Sequence, residues 1–226
     1  WEYDELWEFT VPYPVFFDYI DEDTIVYTPP VNQYCWKRDR STGILVQSTD
    51  QLAEDRIERY QLGFHAPELS DRFNILYSVN VKQFSMNAAE YSFWDKLKIN
   101  NQDVGDIFEK QPVIVNSNIF NVDDEDEKVV GFFRVSDVKE RRLYLDRKDL
   151  YGIGFDYWRM NCEVFEFYLD DPPPGYNFLS FNEAYDALSL SRNFVQPILN
   201  DLNQLIGLAF ASYRCSDCSR TGDPER

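Results

Sequence analysis

The sequence has few of the residues from which catalytic and metal sites are usually built. Its 226 residues include one histidine, His65, and nine glycines. A single histidine excludes metal sites made of several histidines, and no G-x-S-x-G or comparable motif accompanies a serine. The chain also lacks a P-loop and a G-x-G-x-x-G motif, so phosphate-binding loops are not indicated. We therefore expect no enzyme, no cofactor and no metal site, although 40 Asp and Glu residues leave a carboxylate-based hydrolase open as an alternative.

Long apolar runs and positive charge are scarce as well. The longest apolar candidate, Leu205 to Ala211, is far shorter than the roughly 20 residues that a membrane-spanning helix needs. With 22 Lys and Arg against 40 Asp and Glu, the net charge is −18 at pH 7. So much negative charge is repelled by phosphate backbones and anionic lipids, and nucleic-acid binding is not expected. Because the chain opens at Trp1 without Met, we expect a fragment or a processed product.

The chain has four cysteines: Cys35, Cys162, Cys215 and Cys218. Only the last two have C-x-x-C spacing, so disulfides in an oxidising compartment are favoured over a zinc site. A bridge between the neighbours Cys215 and Cys218 would constrain little chain. Pairing with the distant Cys35 and Cys162 would stabilise the fold more, although the sequence does not choose the connectivity.

Aromatic residues are abundant, at 17% of the chain, and favour β-structure. The clearest pattern runs from Phe73 to Asn101. Its first half alternates and predicts a strand whose buried face carries Phe73, Ile75, Tyr77, Val79 and Val81. Its second half has helical spacing at Ala88, Tyr91, Trp94 and Leu97, and Ser85 or Asn87 can cap the helix start.

Other segments complete the predicted fold. The residues from Trp1 to Phe9 indicate a strand with one aromatic face, and 129–135 with 141–145 indicate a hairpin. Further extended segments are expected at 43–47, 56–64, 113–115, 118–122 and 162–169, and helices at 181–190 and 194–210. We expect one mainly β domain over 1–226: an antiparallel immunoglobulin- or fibronectin-like β-sandwich with a helical insertion at about 86–99 and a helical C-terminal region at about 176–226.

Two surface features are candidates for binding. Prolines bracket the loops from Val11 to Pro30, and exposed aromatics there would mark a partner-binding surface, whereas packing against the sandwich is the alternative. The acidic run 123–127 could hold Ca²⁺, but it lacks the spacing of an EF-hand loop, and a solvated hairpin tip is the alternative. The candidate partner-binding residues are Tyr13, Phe16, Phe17, Tyr19 and Tyr27.

Several segments together resemble a known family. They are Trp1-Glu2-Tyr3, Trp7-Glu8-Phe9, Cys35-Trp36, Ser48-Thr49, Tyr77-Ser78 through Val81, Gln83, Tyr91, Trp94, Asn100-Asn101, Gly105, Phe108, Gln111-Pro112, Asn118-Ile119, Gly131-Phe132-Phe133, Ser136 to Arg141, and Cys215-x-Asp217-Cys218 with Gly222. In order and spacing they resemble the Bacteroidota outer-membrane lipoproteins labelled domain of unknown function 4249, often encoded beside a TonB-dependent receptor.

The resemblance implies a place and a role. Members carry a lipidated cysteine and an immunoglobulin-like domain before the point that corresponds to Trp1, and lie at the cell outer membrane, on its extracellular face. We therefore expect a non-catalytic cell-surface lipoprotein subunit that associates with a TonB-dependent β-barrel receptor, in ligand capture or gating. The alternative is a structural accessory subunit of an outer-membrane assembly or secretion complex. The resemblance supplies no catalytic residues.

Overall fold

The computed structural model describes residues 1–21, 24–30, 32–102, 113–115, 117–124, 126–150 and 162–223. In this part of the chain it is mainly β with antiparallel sheets, which confirms the predicted class. An immunoglobulin-like sandwich is consistent with these sheets and stays a prediction. The strands are β1 (Glu2–Thr10), β2 (Phe17–Asp21), β3 (Thr24–Tyr27), β4 (Tyr34–Arg40), β5 (Leu76–Phe84), β6 (Val138–Asp146), β7 (Val164–Tyr168), β8 (Arg192–Leu199) and β9 (Leu205–Ser212); the α-helices are α1 (Ala88–Gln102), α2 (Phe181–Leu188) and α3 (Tyr213–Ser216).

Short 3-10 turns connect some of these elements, and the chain divides into two compact units. The turns are Pro67–Leu69, Asp71–Phe73, Arg147–Asp149 and Cys218–Arg220. Unit 1 comprises Trp1–Glu5, Asp39–Phe64 and Val79–Leu143, and unit 2 comprises Leu6–Arg38, His65–Ser78 and Tyr144–Arg226. The expectation of a single domain stays a prediction. No helix in the described ranges is long and apolar enough to cross a membrane.

The four-stranded sheet has the order β4-β1-β5-β6. Strand β1 buries Glu5, Trp7 and Phe9, which confirms the predicted strand with one filled face. In β5 the predicted faces are wrong, because the polar residues Ser78 and Asn80 are the buried ones. Both are hydrogen-bonded, which offsets the cost of burying them: the Ser78 hydroxyl donates to the carbonyl of Leu6 at 3.2 Å, and Asn80 donates to Glu140 at 2.5 Å.

Helix α1 confirms the predicted helical insertion. The Asn87 side chain caps it by accepting the backbone N–H of Glu90 at 2.9 Å. The helix buries Glu90 and Phe93, while Ala88 of the predicted apolar face is exposed.

Several predicted strands of unit 1 are wrong. The segments 43–47, 56–64, 113–115, 118–122 and 129–135 contain no strand in their described residues. For 118–122 and 129–135 the physical reason is local. The Asn118 amide accepts from the Phe133 N–H at 2.8 Å and donates to the Phe133 carbonyl at 2.7 Å. One side chain therefore satisfies the two backbone groups that a ladder would pair, and β6 pairs with β5 instead of with 129–135.

Unit 2 is built on a three-stranded antiparallel sheet of order β7-β9-β8. Strand β9 lies in the centre and is buried along Gly207 to Ala211. The hairpin of β2 and β3 and helix α2 pack with this sheet around one aromatic cluster. Its buried members are Tyr19, Phe167, Phe181, Ala184, Leu188, Phe194, Leu208 and Phe210.

The prediction of a helix at 194–210 is wrong, because these residues form most of β8 and β9 and the turn between them. The turn between the strands is made by Asn200, whose side chain accepts the N–H groups of Leu202 at 3.0 Å and Gln204 at 2.9 Å. Asn203 adopts a positive φ of 59°, a conformation that Asn tolerates in turns. Pro197 lies on the edge strand β8, where its missing N–H is tolerated. Of the predicted C-terminal helices, only the first is confirmed, as α2.

Both disulfides lie in unit 2 and confirm that all four cysteines are oxidised. Cys35 pairs with Cys218, at a sequence separation of 183, and Cys162 pairs with Cys215, at a separation of 53. The C-terminal segment is therefore linked to two distant parts of the chain, as favoured above. Closing loops of this length lowers the conformational entropy of the unfolded chain, which in the entropy model stabilises the folded state by about 4–5 kcal/mol for each disulfide.

Candidate functional site

The proline-bracketed region from Val11 to Pro30 contains a β-hairpin. Strands β2 and β3 pair with Phe17 opposite Tyr27, Asp18 opposite Val26 and Tyr19 opposite Ile25. Because side chains alternate along a strand, Phe17, Tyr19 and Ile25 face the core of unit 2. Glu22 and Asp23, which the sequence placed in this loop, lie outside the described residues.

Tyr19 belongs to the core. Only 7% of it is exposed, and its ring stacks on Tyr185 at 4.5 Å between centroids. Its hydroxyl donates to the side chain of Asn182 at 2.7 Å. Burial raises the pKa of Tyr185 above its ordinary value, and the neighbouring carboxylates of Asp18 and Asp186 act in the same direction. Tyr19 is thus a packing residue and offers no free ring to a partner.

Tyr13 and Phe17 are half-buried. The backbone N–H of Tyr13 donates to the carbonyl of Cys215 at 3.1 Å, and its ring packs near the Cys162–Cys215 disulfide. Phe17 packs against the aromatic cluster of unit 2. For these two residues, as for Tyr19, the structure agrees with the packing alternative.

Tyr27 and the half-buried Phe16, whose ring stacks on it, remain as candidates for partner binding. Their rings stack at 6.0 Å, and Tyr27 is 64% exposed. On the outer face of the hairpin Ile20 and Val26 are exposed, beside the exposed carboxylate of Asp18. Tyr27 lies opposite Phe17 and so belongs to the other face, where it is exposed at the end of β3. We call Phe16, Asp18, Ile20, Val26 and Tyr27 the hairpin surface.

A second apolar surface lies in unit 1, between residues 117 and 135. Besides the Asn118 bonds, the Ser117 hydroxyl donates to the carbonyl of Gly131 at 2.5 Å, which holds the two ends of the segment side by side. Sequence reasoning missed this surface, because paired strands would have buried one face of each. The signal was present in the apolar residues on both sides of the acidic run. Five large side chains are 69–91% exposed: Phe120, Val122, Val130, Phe133 and Val135.

The acidic run separates the two halves of this 117–135 surface. Asp123, Asp124, Asp126 and Glu127 are exposed, and Glu127 accepts a hydrogen bond from Asn121. Glu125 lies outside the described residues. Among the residues that are described, no group of three or more His, Cys, Asp or Glu side chains is placed to hold a metal ion. The run therefore contributes negative charge beside apolar side chains.

A cleft in unit 1 is lined in part by an arginine that contacts two aromatic rings and a buried carboxylate. Sequence reasoning did not find this group of residues. The guanidinium of Arg134 lies 4.3 Å over the ring of Phe84 and 6.0 Å from that of Trp94. Its Nη1 donates to Glu90 at 3.1 Å, and the Glu90 side chain is only 2% exposed. A buried carboxylate paired with a stacked arginine fixes the positions of both aromatic rings. Nothing in the local sequence signals a pair whose members are 44 residues apart.

The family model described as Domain of unknown function (DUF4249) matches residues 7–142, more than half of the chain. The chain belongs to this family. Searches among curated proteins and among solved structures find no match. The DUF4249 match includes the hairpin surface, the 117–135 surface and Arg134, whereas β7, β8 and β9 lie beyond it. Of the residues that carried the resemblance, Gly105, Phe108, Gln111 and Pro112 lie outside the described residues.

Proposed function

We propose that this DUF4249 protein is a non-catalytic, cell-surface lipoprotein subunit that works with a TonB-dependent outer-membrane receptor, in ligand capture or gating. Its resemblance to lipoproteins encoded beside such receptors supports the partner. The two disulfides fit an oxidising envelope location. In this proposal a lipid anchor ahead of Trp1 holds the protein at the extracellular face of the outer membrane.

The observation that carries the proposal is the 117–135 surface. Monomeric proteins rarely leave several large apolar side chains exposed close together, and such patches usually mark interaction sites. Here five of them lie in one short segment whose ends are fixed by Asn118 and Ser117. A surface that is already ordered loses less entropy on binding than a mobile loop.

The aromatic and acidic side chains of the 117–135 surface indicate what kind of partner surface it fits. Phe120 and Phe133 are large aromatic side chains of the kind that fill pockets at the centre of an interface. The carboxylates of Asp123, Asp124 and Asp126 beside them would attract a basic rim and orient the encounter. We therefore expect an apolar groove flanked by Lys or Arg on the receptor, in a part that faces this subunit.

The test replaces Phe120 and Phe133 together by Ser in the native lipoprotein and measures how much receptor co-purifies, by quantitative mass spectrometry. Losing two central aromatic contacts should lower recovery of the receptor at least about ten-fold, since each is worth 1 kcal/mol or more. The matched control is Leu179→Ser with Leu190→Ser, two equally exposed apolar residues of unit 2. It should leave recovery unchanged, and both variants should keep the wild-type melting temperature.

A second variant examines the hairpin surface. Phe16→Ser with Tyr27→Ser removes its two stacked rings while leaving Tyr19 in the core. If this variant alone loses the receptor, the interface lies on the hairpin and the 117–135 surface has another role. Full recovery with both pairs of substitutions would contradict a receptor interface on either surface.

A further inference from the structure

The cleft of unit 1 consists of two adjoining cavities that share the side chains of Trp1, Phe84 and Met86. Their volumes are about 340 Å³ and about 250 Å³. Together they lie in the size range of small-molecule sites in proteins. The receptor proposal makes no use of this cleft, and every described residue that lines it belongs to unit 1.

One wall of the cleft is aromatic and held in place. The ring of Trp1 stacks on Tyr60 with 4.7 Å between centroids, and the ring of Phe84 is covered by the guanidinium of Arg134. Contacts of this kind fix the orientation of both rings before a ligand arrives. A flat, ordered apolar wall favours a ligand that has a flat apolar face of its own.

The rest of the larger cavity is polar and offers hydrogen-bond donors and acceptors together. Amides donate and accept, hydroxyls do both, carboxylates accept and an ammonium donates, so the cavity matches a ligand that carries several hydroxyl groups. The carboxylate of Asp55 is already oriented by the hydroxyl of Thr49 at 2.6 Å. The other polar side chains of the cavity are Gln47, Gln83, Ser85, Asp137 and Lys139.

The charges around the cleft argue against an anionic ligand. Arg134 is paired with the buried Glu90, and its Nη2 lies 4.0 Å from Glu2. Asp55 and Asp137 line the larger cavity together with a single Lys139. Among the described residues that line the cleft, a phosphate or a carboxylate would meet Asp55 and Asp137, and the only arginine is already paired with Glu90.

The smaller cavity adds a further aromatic side chain to the lining of the cleft. Trp94 lines it, and the guanidinium of Arg134 lies 6.0 Å from the Trp94 ring. The indole Nε1 of Trp94 is itself enclosed by the protein, so the ring contributes apolar surface and no hydrogen bond to a ligand.

We propose that the unit 1 cleft binds a neutral saccharide. The aromatic wall packs on the C–H face of a sugar ring, while the amides of Gln47 and Gln83 and the neighbouring hydroxyls and carboxylates bind its hydroxyl groups. Saccharide binding requires this chain alone, so its test does not depend on whether the receptor proposal is correct.

The experiment uses the purified protein without any receptor. Calorimetry and tryptophan fluorescence are measured with hexasaccharides of glucose, mannose, xylose and galactose, and with an oligogalacturonide as an anionic probe. We expect saturable binding of at least one neutral hexasaccharide and none of the oligogalacturonide. Gln47→Ala with Gln83→Ala should weaken that binding at least ten-fold. The matched control Gln196→Ala, an exposed amide on β8, should bind like the wild type.

Three results would overturn the proposal. They are the absence of binding to every neutral probe, binding of the oligogalacturonide alone, and binding that the Gln47→Ala with Gln83→Ala variant leaves unchanged. Circular dichroism of each variant separates a lost contact from a lost fold. Loss of receptor co-purification in the other experiment does not bear on this result.

Discussion

The Arg134 group shows how much depends on single residues that have no local signal. In the sequence Glu90 resembles an ordinary acid in the first turn of a helix, where it complements the helix dipole. In the structure its carboxylate is buried and bonded to Arg134, which in turn covers Phe84. Sequence reasoning could predict the helix and its Asn87 cap, because both depend on near neighbours. It could not predict a pair formed across 44 residues.

At this scale we predict the effect of Glu90→Gln. The change removes a charged hydrogen-bond partner and leaves Arg134 without its nearest carboxylate, so the free energy of unfolding should fall by about 1–3 kcal/mol. Urea denaturation measures the loss. The control is Glu58→Gln, which breaks the exposed pair with Arg56 and should change stability by less than about 1 kcal/mol. If the two substitutions lowered the free energy of unfolding equally, the buried pair would contribute no more to stability than an exposed one.

At the scale of elements, periodicity predicted some segments correctly and misread others for identifiable reasons. Strand β1 and helix α1 have long, clean patterns and were predicted. The residues 194–210 were misread, because Ile198, Leu202, Leu205 and Ile206 fit a helical face, while the turn at Asn200 was not recognised. In β5 the apolar alternation is real, but burial follows the hydrogen bonds of Ser78 and Asn80.

The central strand β9 allows a direct test of this packing. A methyl group added at Gly207 would lie 2.8 Å from the carbonyl oxygen of Phe167 and 3.1 Å from Ile198. Gly207→Ala should therefore destabilise unit 2 by about 1–3 kcal/mol through overpacking. Gly43→Ala is the control, since nothing lies within 4 Å of the added methyl, and it should stay within about 0.5 kcal/mol of the wild type. A neutral Gly207→Ala, measured by thermal unfolding, would contradict the β7-β9-β8 packing.

At the scale of the whole molecule, the family was predictable because many short segments, each a weak match alone, follow one another in the order and spacing of the family. The oxidised cysteines were predictable from their even number and spacing, and their connectivity was not. The binding surfaces were only partly predictable. Of five aromatic candidates, Tyr19 belongs to the core, Tyr13, Phe16 and Phe17 are half-buried, and Tyr27 is exposed. Alternation in the hairpin sends Phe17 and Tyr19 inward, because they lie two residues apart on one strand. The 117–135 surface exists because Asn118 replaces a strand ladder, which no periodicity reveals.

The proposed partnership with a receptor is tested most directly by identifying what the native protein binds. The wild-type protein, carrying an affinity tag, is purified from gently solubilised cell membranes, and its partners are identified and quantified by mass spectrometry. We predict that one TonB-dependent receptor is recovered in near-stoichiometric amount. Recovery of an assembly or secretion barrel in its place would support the accessory-subunit alternative, and recovery of no barrel at all would contradict the account.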